Sequence, residues 1–418
     1  MPKSAKSMSV LRLIGINLVV FLLLYAIVEL LYSGYRYLTG GSPDSFSVFE
    51  HPGQTIKFDP VRGYYLTRTP SRIARVNFGK IEYQGSYQGN AQGFADRDDF
   101  NIKRSSANER RIAVFGDSFA AAIMEPLNSP NWPDRVEDLC QVNGSRRLEL
   151  LNFSLDGAGL ANWASILRNV VVKDQYDLDG LLFAVAWDDL DRTFAFFDQV
   201  DSNRFLHAVA PTWDIAAQPK TRGEALDLFE KDPDPAHRYV LSTEEYDAFL
   251  TGNWKPRQWS FRLSESVAGM LRGGPPRRNP REEFEPGQVA LIEQIQQIAK
   301  EHSWPIAVVY VPNREELLGS TGDPNIEKCR KFSETLGGTF FDGREAFQGL
   351  SHQQIKDDWF PIDAHWNRGG SDQFAGFMVS KIQGWLAVSP ENRANSSTSG
   401  GEWGIASRFG ARKIMARR

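Results

Sequence analysis

The sequence predicts an α/β protein with a parallel β-sheet, preceded by a membrane-spanning helix and interrupted by a large insertion. Three observations support this prediction. From residue 111 onward, short apolar runs alternate with longer amphipathic stretches, as in sheets flanked by helices. A long uncharged apolar run lies near the N-terminus, and the alternation is broken between residues 189 and 283. Because structureless loops of that size are rare in compact domains, we expect a partly helical insertion that serves as a lid or substrate platform.

Composition narrows the class of protein. A chain of 418 residues can form one large domain or two ordinary ones. The formal net charge is only −4, and acidic and basic residues are mixed along the chain. The sequence has no basic stripe of the kind that neutralises phosphates, so nucleic acid is not expected as a partner. The two cysteines, Cys140 and Cys329, lack a metal-ligand spacing. From sequence they are bridged, free or simply buried.

The N-terminal apolar run has the length and flanks of a membrane span. Residues 13–28 carry no charge, and the run continues past Glu29 to Tyr32, which is enough to cross a bilayer. Basic residues precede it and tyrosines follow it: Lys3, Lys6 and Arg12 on one side, Tyr32, Tyr35 and Tyr37 on the other. Basic residues on the cytoplasmic side and aromatic residues at the interface are typical of spanning helices.

We therefore predict a cytoplasmic tail at 1–12 and a transmembrane helix at 13–32 in contact with the lipid bilayer. The rest of the chain would lie outside, which means the periplasm in a cell with two membranes. Two alternatives stay open. A cleaved signal peptide has a shorter apolar run and a small-residue cleavage site, and a buried core helix would not need the basic flank.

The remainder divides by composition. Residues 33–57 are predicted to be a linker, because Gly, Ser, Pro and Asp dominate much of this stretch. Turn residues and short aromatic runs predict a β-rich addition at 58–110. The α/β domain would cover 111–388 with its insertion at about 192–283, and 389–418 reads as a disordered basic tail.

Strands and helices of the α/β domain follow from the apolar pattern. Five apolar runs have strand length: residues 112–115, 148–153, 181–187, 306–311 and 339–341. Helical spacing marks one stripe at Leu291, Ile295 and Ile298, and a second in the final amphipathic stretch. Ser371 is the predicted N-cap of that last helix.

Ser118 is the candidate nucleophile. It follows an apolar strand in Gly116-Asp117-Ser118 and precedes a helical stretch. Such a turn lies at the carboxyl edge of a parallel sheet, where ligands bind, and exposes a backbone N–H that can stabilise an oxyanion. Gly-Asp-Ser is also an ordinary turn and cap sequence. The prediction that Ser118 is a nucleophile therefore depends on a nearby base, since a serine hydroxyl is a poor nucleophile until its proton is removed.

His365 is the candidate base among six histidines, because Asp363 stands two residues before it. In an extended segment both side chains face the same side, and a carboxylate so placed orients the imidazole and stabilises its protonated form. Alternatively, His365 stacks on Trp366 while Asp363 caps a turn. A metal held by this pair and Asp117 would need further ligands that the spacing does not supply. We expect no metal and no other cofactor.

These motifs resemble the SGNH, or GDSL-type, hydrolase superfamily over roughly residues 111–386. The resemblance implies a flavodoxin-like three-layer sandwich with Ser118 as nucleophile, His365 as general base and Asp363 as its orienting carboxylate. Many members space the last pair as Asp-x-x-His. The tighter Asp-x-His-Trp of this chain is similar to membrane-anchored proteins of bacterial exopolysaccharide O-acetylation, such as the alginate acetylation machinery.

The resemblance also implies an oxyanion site. Gly157 occupies the position of the family's second-block glycine, whose N–H helps to hold the oxyanion. Asp188 stands where the third block usually supplies an asparagine side chain. An ionised carboxylate accepts hydrogen bonds and donates none, so Asp188 must be protonated, turned away or otherwise engaged if the site is active.

The expected function is that of a serine-dependent esterase acting on acyl esters, O-acetyl esters in the first place, of an envelope or secreted glycan. A polysaccharide O-acetyltransferase with the same three residues is the first alternative. The second is an inactive glycan-binding or scaffold protein, suggested by Asp188 and the insertion. Expected partners are the acylated carbohydrate and the proteins of polysaccharide export or acetylation.

Overall fold

The computed structural model describes residues 10–38, 45–50, 55–121, 131–142, 147–201, 204–231, 238–256, 283–319 and 325–387. The predicted tail at 389–418 and most of the predicted cytoplasmic segment lie outside these ranges, as do His51 and His237.

A single long helix, α1 (Val10–Leu38), contains the predicted membrane span. Within it, Ile14–Tyr35 is long and apolar enough to cross a membrane, with a mean hydropathy of 2.5. Most of its side chains are exposed. A long helix with exposed apolar side chains fits a lipid environment better than a protein core.

The N-terminal addition consists of five strands: β1 (Ser45–Glu50), β2 (Ile56–Asp59), β3 (Gly63–Leu66), β4 (Ser71–Asn77) and β5 (Lys80–Tyr87). The prediction of a linker at 33–57 is therefore wrong in part. Helix α1 continues to Leu38, and β1 pairs with β4 inside a sheet. Phe46, Val48 and Phe49 are buried there, and this apolar content outweighs the neighbouring Gly, Ser and Pro.

The α/β domain is built on a five-stranded parallel sheet, and all five predicted runs are its strands. They are β6 (Arg110–Phe115), β7 (Leu148–Asn152), β8 (Gly180–Ala186), β12 (Ile306–Val311) and β13 (Thr339–Asp342). Their order across the sheet is β7-β6-β8-β12-β13. Numbered within this domain the order is 2-1-3-4-5, so the predicted flavodoxin-like fold class is confirmed.

Helices cover both faces of this sheet and complete the three layers. The helices of this domain are α2 (Ser118–Ala121), α3 (Trp132–Val142), α4 (Leu160–Ile166), α7 (Pro286–Glu301), α8 (Arg314–Leu317), α9 (Asn325–Leu336), α10 (His352–Asp357) and α11 (Arg368–Ala387), while α5 (Arg222–Lys231) and α6 (Thr243–Leu250) belong to the insertion. Side chains of α3 and α11 share one buried cluster, and those of α4, α7 and α9 share another.

Helix α11 begins three residues earlier than its predicted cap. Ser371 lies buried inside the first turn, so its assignment as N-cap is wrong. Asn367 takes that role, because its Oδ1 accepts a hydrogen bond from the nitrogen of Gly369 at 2.8 Å. Cys140 and Cys329 are both buried and unbridged.

The insertion is partly helical, as predicted, and joins the N-terminal addition. It contains a hairpin of β9 (Ala195–Asp201) and β10 (Arg204–Val209), followed by α5, β11 (Arg238–Leu241) and α6. Strand β11 pairs in parallel with β1, giving a second sheet of order β11-β1-β4-β5. Addition, insertion and α/β domain also share one buried cluster.

Candidate active site

Ser118 lies at the carboxyl end of β6, the first strand of the parallel sheet. The strand ends at Phe115, and α2 begins at Ser118 itself. This is the switch point of the topology, where the chain moves from β6 outward to β7 on one side and to β8 on the other. Loops diverge at such a point and leave a crevice for a ligand.

Three side chains form a continuous relay. Ser118 Oγ lies 2.6 Å from His365 Nε2, and His365 Nδ1 lies 2.5 Å from Asp363 Oδ1. The same carboxylate oxygen accepts a hydrogen bond from the main-chain nitrogen of His365 at 3.2 Å. With the proton on Nδ1, Nε2 is free to accept the serine proton, which is the arrangement that serine hydrolysis requires.

Aromatic rings enclose the imidazole. The ring of Phe119 lies 4.7 Å from that of His365, and the ring of Trp187 lies 5.1 Å away. Trp366 packs edge-on against Phe119 rather than taking His365 as a stacking partner. Ser118 is only 5% exposed. The three side chains of the relay therefore lie in a largely water-excluded setting, where electrostatic interactions are stronger than in water.

Asp363 is held in its ionised form. Burial would raise the pKa of its carboxyl, but the hydrogen bonds from His365 and the charges of His365 and Arg75 bring that pKa below its usual value. A carboxylate that stays ionised can fix the imidazole tautomer and stabilise the imidazolium.

The loop that carries Asp363 is held by the N-terminal addition. Glu82 Oε1 accepts hydrogen bonds from the main-chain nitrogens of Ile362 at 2.5 Å and Asp363 at 3.0 Å. Tyr83 Oη lies 3.5 Å from Asp363 Oδ2, and its ring packs on that of Phe360 at 4.6 Å. From the other side, Nη1 of Arg314 donates to the carbonyl oxygens of residues 360 and 361.

A β-bulge explains how neighbouring side chains reach the same loop. Arg75 pairs with Tyr83 and Val76 pairs with Ile81, so Glu82 is an extra residue in β5. Successive side chains of a regular strand point to opposite faces, and a bulge changes that direction locally. Glu82 and Tyr83 could not be predicted as positioning residues, because neither a bulge nor the loop it contacts has a local sequence signature.

Ser118 and Gly157 were the predicted backbone N–H donors to an oxyanion. Ser118 is the first residue of α2, and the N–H of a first helical residue has no partner within the helix. Gly157 follows β7, and its N–H donates no hydrogen bond to other residues that the structure describes. Its φ is +69°, and an added Cβ would lie 3.0 Å from the Phe197 ring, so glycine fits best here.

Asp188 is engaged outside the relay. Its side chain is 64% exposed, and its Oδ1 accepts a hydrogen bond from Nη2 of Arg192 at 2.8 Å. The same guanidinium lies 2.9 Å from Oδ1 of the buried Asp189 and 3.5 Å from Oδ2 of Asp117. Arg192 thus contacts three carboxylates beside Ser118, and no local sequence pattern singles it out.

Asp117 supports the nucleophile turn. Its Oδ1 accepts a hydrogen bond from the nitrogen of Phe119 at 3.0 Å, which stabilises the start of α2. Its Oδ2 lies 3.5 Å from Ser118 Oγ. This capping role and the ion pair with Arg192 give Asp117 a structural function in the turn.

A scan against protein-family models gives no match, and a search of curated proteins gives none. Among solved structures, the lipase Lip_vut3 from goat rumen metagenome aligns with 66% of this chain and 99% of its own, at 13% identity and a TM-score of 0.34. The psychrotrophic esterase EstA from Pseudoalteromonas sp. aligns with 66% of this chain and 98% of its own (13%, 0.33). AlinE4, an SGNH-hydrolase family esterase, aligns with 68% and 99% (12%, 0.30). The function of this chain is inferred from its own residues.

Proposed function

We propose that the chain is a serine-dependent enzyme that cleaves acyl esters. The observation that carries this proposal is the relay, in which Ser118 Oγ lies 2.6 Å from His365 Nε2 and His365 Nδ1 lies 2.5 Å from Asp363 Oδ1. These distances are those of a nucleophile within reach of its base and of a base oriented by a carboxylate.

In the proposed reaction, Ser118 Oγ attacks the acyl carbon while its proton passes to His365 Nε2. The N–H groups of Ser118 and Gly157 donate to the oxyanion of the tetrahedral intermediate. His365 then returns the proton to the departing alkoxide, which leaves an acyl-serine ester and a free hydroxyl compound. A second attack, by an acceptor whose proton His365 takes, releases the acyl group and restores Ser118.

The proposed substrate is a small acyl ester, acetyl above all, on a glycan outside the membrane. Ser118 is 5% exposed and aromatic rings enclose the adjoining His365, which favours a small acyl group. The basic residues before the apolar run favour a cytoplasmic N-terminus and an external enzyme. Alkaline phosphatase fused to the C-terminus should therefore be active in bacteria. If this fusion is inactive while a cytoplasmic reporter at the same position is active, the C-terminal part lies in the cytoplasm and the proposed orientation is wrong.

Acyl transfer to a sugar hydroxyl is a second candidate, and the enclosure of the relay favours it. Hydrolysis and transfer share the acyl-serine intermediate and differ in the acceptor. Ser118 is 5% exposed, and a water-excluded site protects the intermediate from hydrolysis until an acceptor binds.

The test uses the full chain in detergent with a fluorophosphonate probe and a chromogenic acetyl ester. We expect a covalent adduct at Ser118 and ester cleavage that Ser118→Ala abolishes. Ser154→Ala is the matched control, because this buried serine near Gly116 has no part in the relay. Adduct and turnover that survive Ser118→Ala would contradict the proposal.

The acceptor is decided in the same assay by adding an oligosaccharide. An acetylated oligosaccharide, with faster release of the chromophore, indicates transfer. Release that no acceptor changes indicates hydrolysis. Intact glycan binding without adduct or turnover would point to the non-enzymatic alternative.

A further inference from the structure

The turn between β4 and β5 carries an aromatic residue where its backbone disfavours one. Phe78 and Gly79 connect Asn77 to Lys80, and both have positive φ, at +49° and +76°. A two-residue turn with positive φ at both positions is a type I′ turn, which favours Asn, Asp or Gly. A residue with a Cβ is sterically disfavoured in this region of φ and ψ. Nevertheless the position holds Phe78, which is 75% exposed.

The register of the sheet places this turn beside the start of β1, the first strand after α1. Asn77, the last residue of β4, pairs with Ser45, the first residue of β1. Ser45 in turn follows Leu38, the last residue of α1, by seven residue steps. Seven steps span at most about 25 Å. The end of the sheet that carries Phe78 is therefore the end tethered to α1.

The side chains around the turn suit a lipid headgroup region. Ile81 is 39% exposed, and Lys80 is exposed beside Phe78. Arg75 adds a second cation at this end, where its guanidinium donates to Oγ of Ser45 at 2.6 Å and of Ser47 at 3.0 Å. Aromatic side chains concentrate at membrane interfaces, and lysine and arginine are attracted to anionic lipids.

We propose that this hairpin tip, defined as Phe78, Lys80 and Ile81, inserts into the interface of the bilayer that α1 spans. The inference rests on the proposed membrane anchoring. Insertion would bury the exposed apolar side chains and offset the cost of the aromatic residue in the turn. The tip and α1 then form two attachments, which fix the orientation of the enzyme relative to the membrane.

The same hairpin joins the tip to the active site. Glu82, which bonds the main chain of Asp363, is four residues from Phe78, or about 13 Å along a strand. With the tip at the interface, the loop of Asp363 and His365 lies close to the membrane surface. The inferred substrate is therefore an acyl ester presented at that surface, rather than one on a free chain far from it.

The test places an environment-sensitive fluorophore on Lys80→Cys in the full chain, reconstituted in nanodiscs of phosphatidylcholine and phosphatidylglycerol. The native cysteines are buried, so labelling is selective. We expect blue-shifted emission and quenching by lipids spin-labelled near the headgroup. Thr69→Cys is the matched control, because Thr69 is exposed beyond the opposite end of β4 and should report water.

Adding Phe78→Asn isolates the aromatic side chain. Asn suits the turn, so the variant should fold with unchanged or higher thermal stability, while the fluorophore at position 80 loses most of its quenching. A reporter at position 80 that behaves like the one at position 69 would overturn the proposal and leave the tip facing water or another protein. The readout does not involve Ser118, so its failure is distinct from failure of the proposed reaction.

Discussion

Glu82 Oε1 lies 3.0 Å from the main-chain nitrogen of Asp363, although 281 residues separate the two along the chain. The contact joins the N-terminal sheet to the residue that orients His365. The β-rich addition is therefore part of the active-site scaffold. Since the relay distances are short, a shift of the Asp363 loop by 1 Å would be enough to impair proton transfer.

Removing the acceptor should impair catalysis more than folding. In Glu82→Ala, the main-chain nitrogens of Ile362 and Asp363 lose their hydrogen-bond acceptor. The loss of this interaction destabilises the loop by about 1 to 3 kcal/mol. We expect kcat on a chromogenic acetyl ester to fall by about tenfold or more, with KM changed much less. Glu82→Gln keeps an acceptor oxygen and should recover most of the activity.

Gln84→Ala is the control on the same strand, because Gln84 is exposed. It should leave kcat unchanged. If Glu82→Gln were as impaired as Glu82→Ala, the charge of Glu82, and not its hydrogen bonds, would be what the loop requires.

Asp363→Asn should leave the fold intact and remove most of the activity. The amide cannot stabilise the imidazolium and favours the wrong tautomer, so kcat should fall by about 10³ to 10⁴. Asp357→Asn, an exposed change near the start of the same loop, should have little effect. Equal kcat for Asp363→Asn and wild type would remove Asp363 from the relay.

The pH profile gives an independent check on this residue. Because the pKa of Asp363 lies below its usual value, its carboxylate stays ionised throughout the neutral and weakly acidic range. Activity lost on acidification within that range should then not involve protonation of Asp363. A kcat/KM profile with one proton uptake on its acid limb agrees with this, and two uptakes above pH 5 would contradict it.

Gly157→Ala tests the proposed role of the Gly157 N–H as the second oxyanion donor. The new methyl group would meet the Phe197 ring at 3.0 Å and strain a backbone at φ +69°. We expect kcat to fall by ten- to a hundredfold through displacement of the N–H, with a moderate loss of thermal stability. Gly79→Ala also has a positive φ but open space around it, and should affect stability without affecting kcat.

The sheet and the relay were predictable because their signals are local. Buried parallel strands read as apolar runs, and all five were found within about two residues of their ends. Asp363 and His365 stand two residues apart, so one short loop brings both to Ser118 once the fold forms. Only the contact between Ser118 and this loop could not be predicted without knowing the topology of the fold.

The supporting contacts were not predictable, because each joins distant segments through features without sequence signatures. Glu82 reaches the Asp363 loop from a bulge, and β1 becomes a strand by pairing with β4 and β11. Arg192 reaches Asp117 from the start of the insertion, where its spacing to Asp188 and Asp189 gave no hint of the third carboxylate.

Asp188 and Asp189 are neighbours, but replacing each by asparagine should have very different effects on stability. Asp188 is largely exposed, and exposed ion pairs contribute little, so Asp188→Asn should change stability by less than about 0.5 kcal/mol and keep most of the activity. Asp189 is fully buried, and its Oδ2 accepts from the nitrogen of Ala186. Asp189→Asn disturbs its ion pair with Arg192 and should lower the denaturation midpoint clearly. Strong inactivation by Asp188→Asn alone would assign Asp188 a direct role in the site.

The stability of the fold should fall as pH rises from about 4 to about 8. Burial raises the pKa of Asp134 to about 8 and that of Glu137 to about 7, despite the nearby Arg97. In this window the folded state holds protons that the unfolded chain has released, so the free energy of unfolding decreases with pH and levels off above the folded pKa values.

Asp134→Asn should reduce that slope by up to about 1.4 kcal/mol per pH unit, the value for one group. Urea denaturation of the full chain in detergent at several pH values measures it, with Asp138→Asn on the same helix as the more exposed control. An unchanged slope in Asp134→Asn would mean that Asp134 is ionised in the folded protein and that Arg97 outweighs its burial.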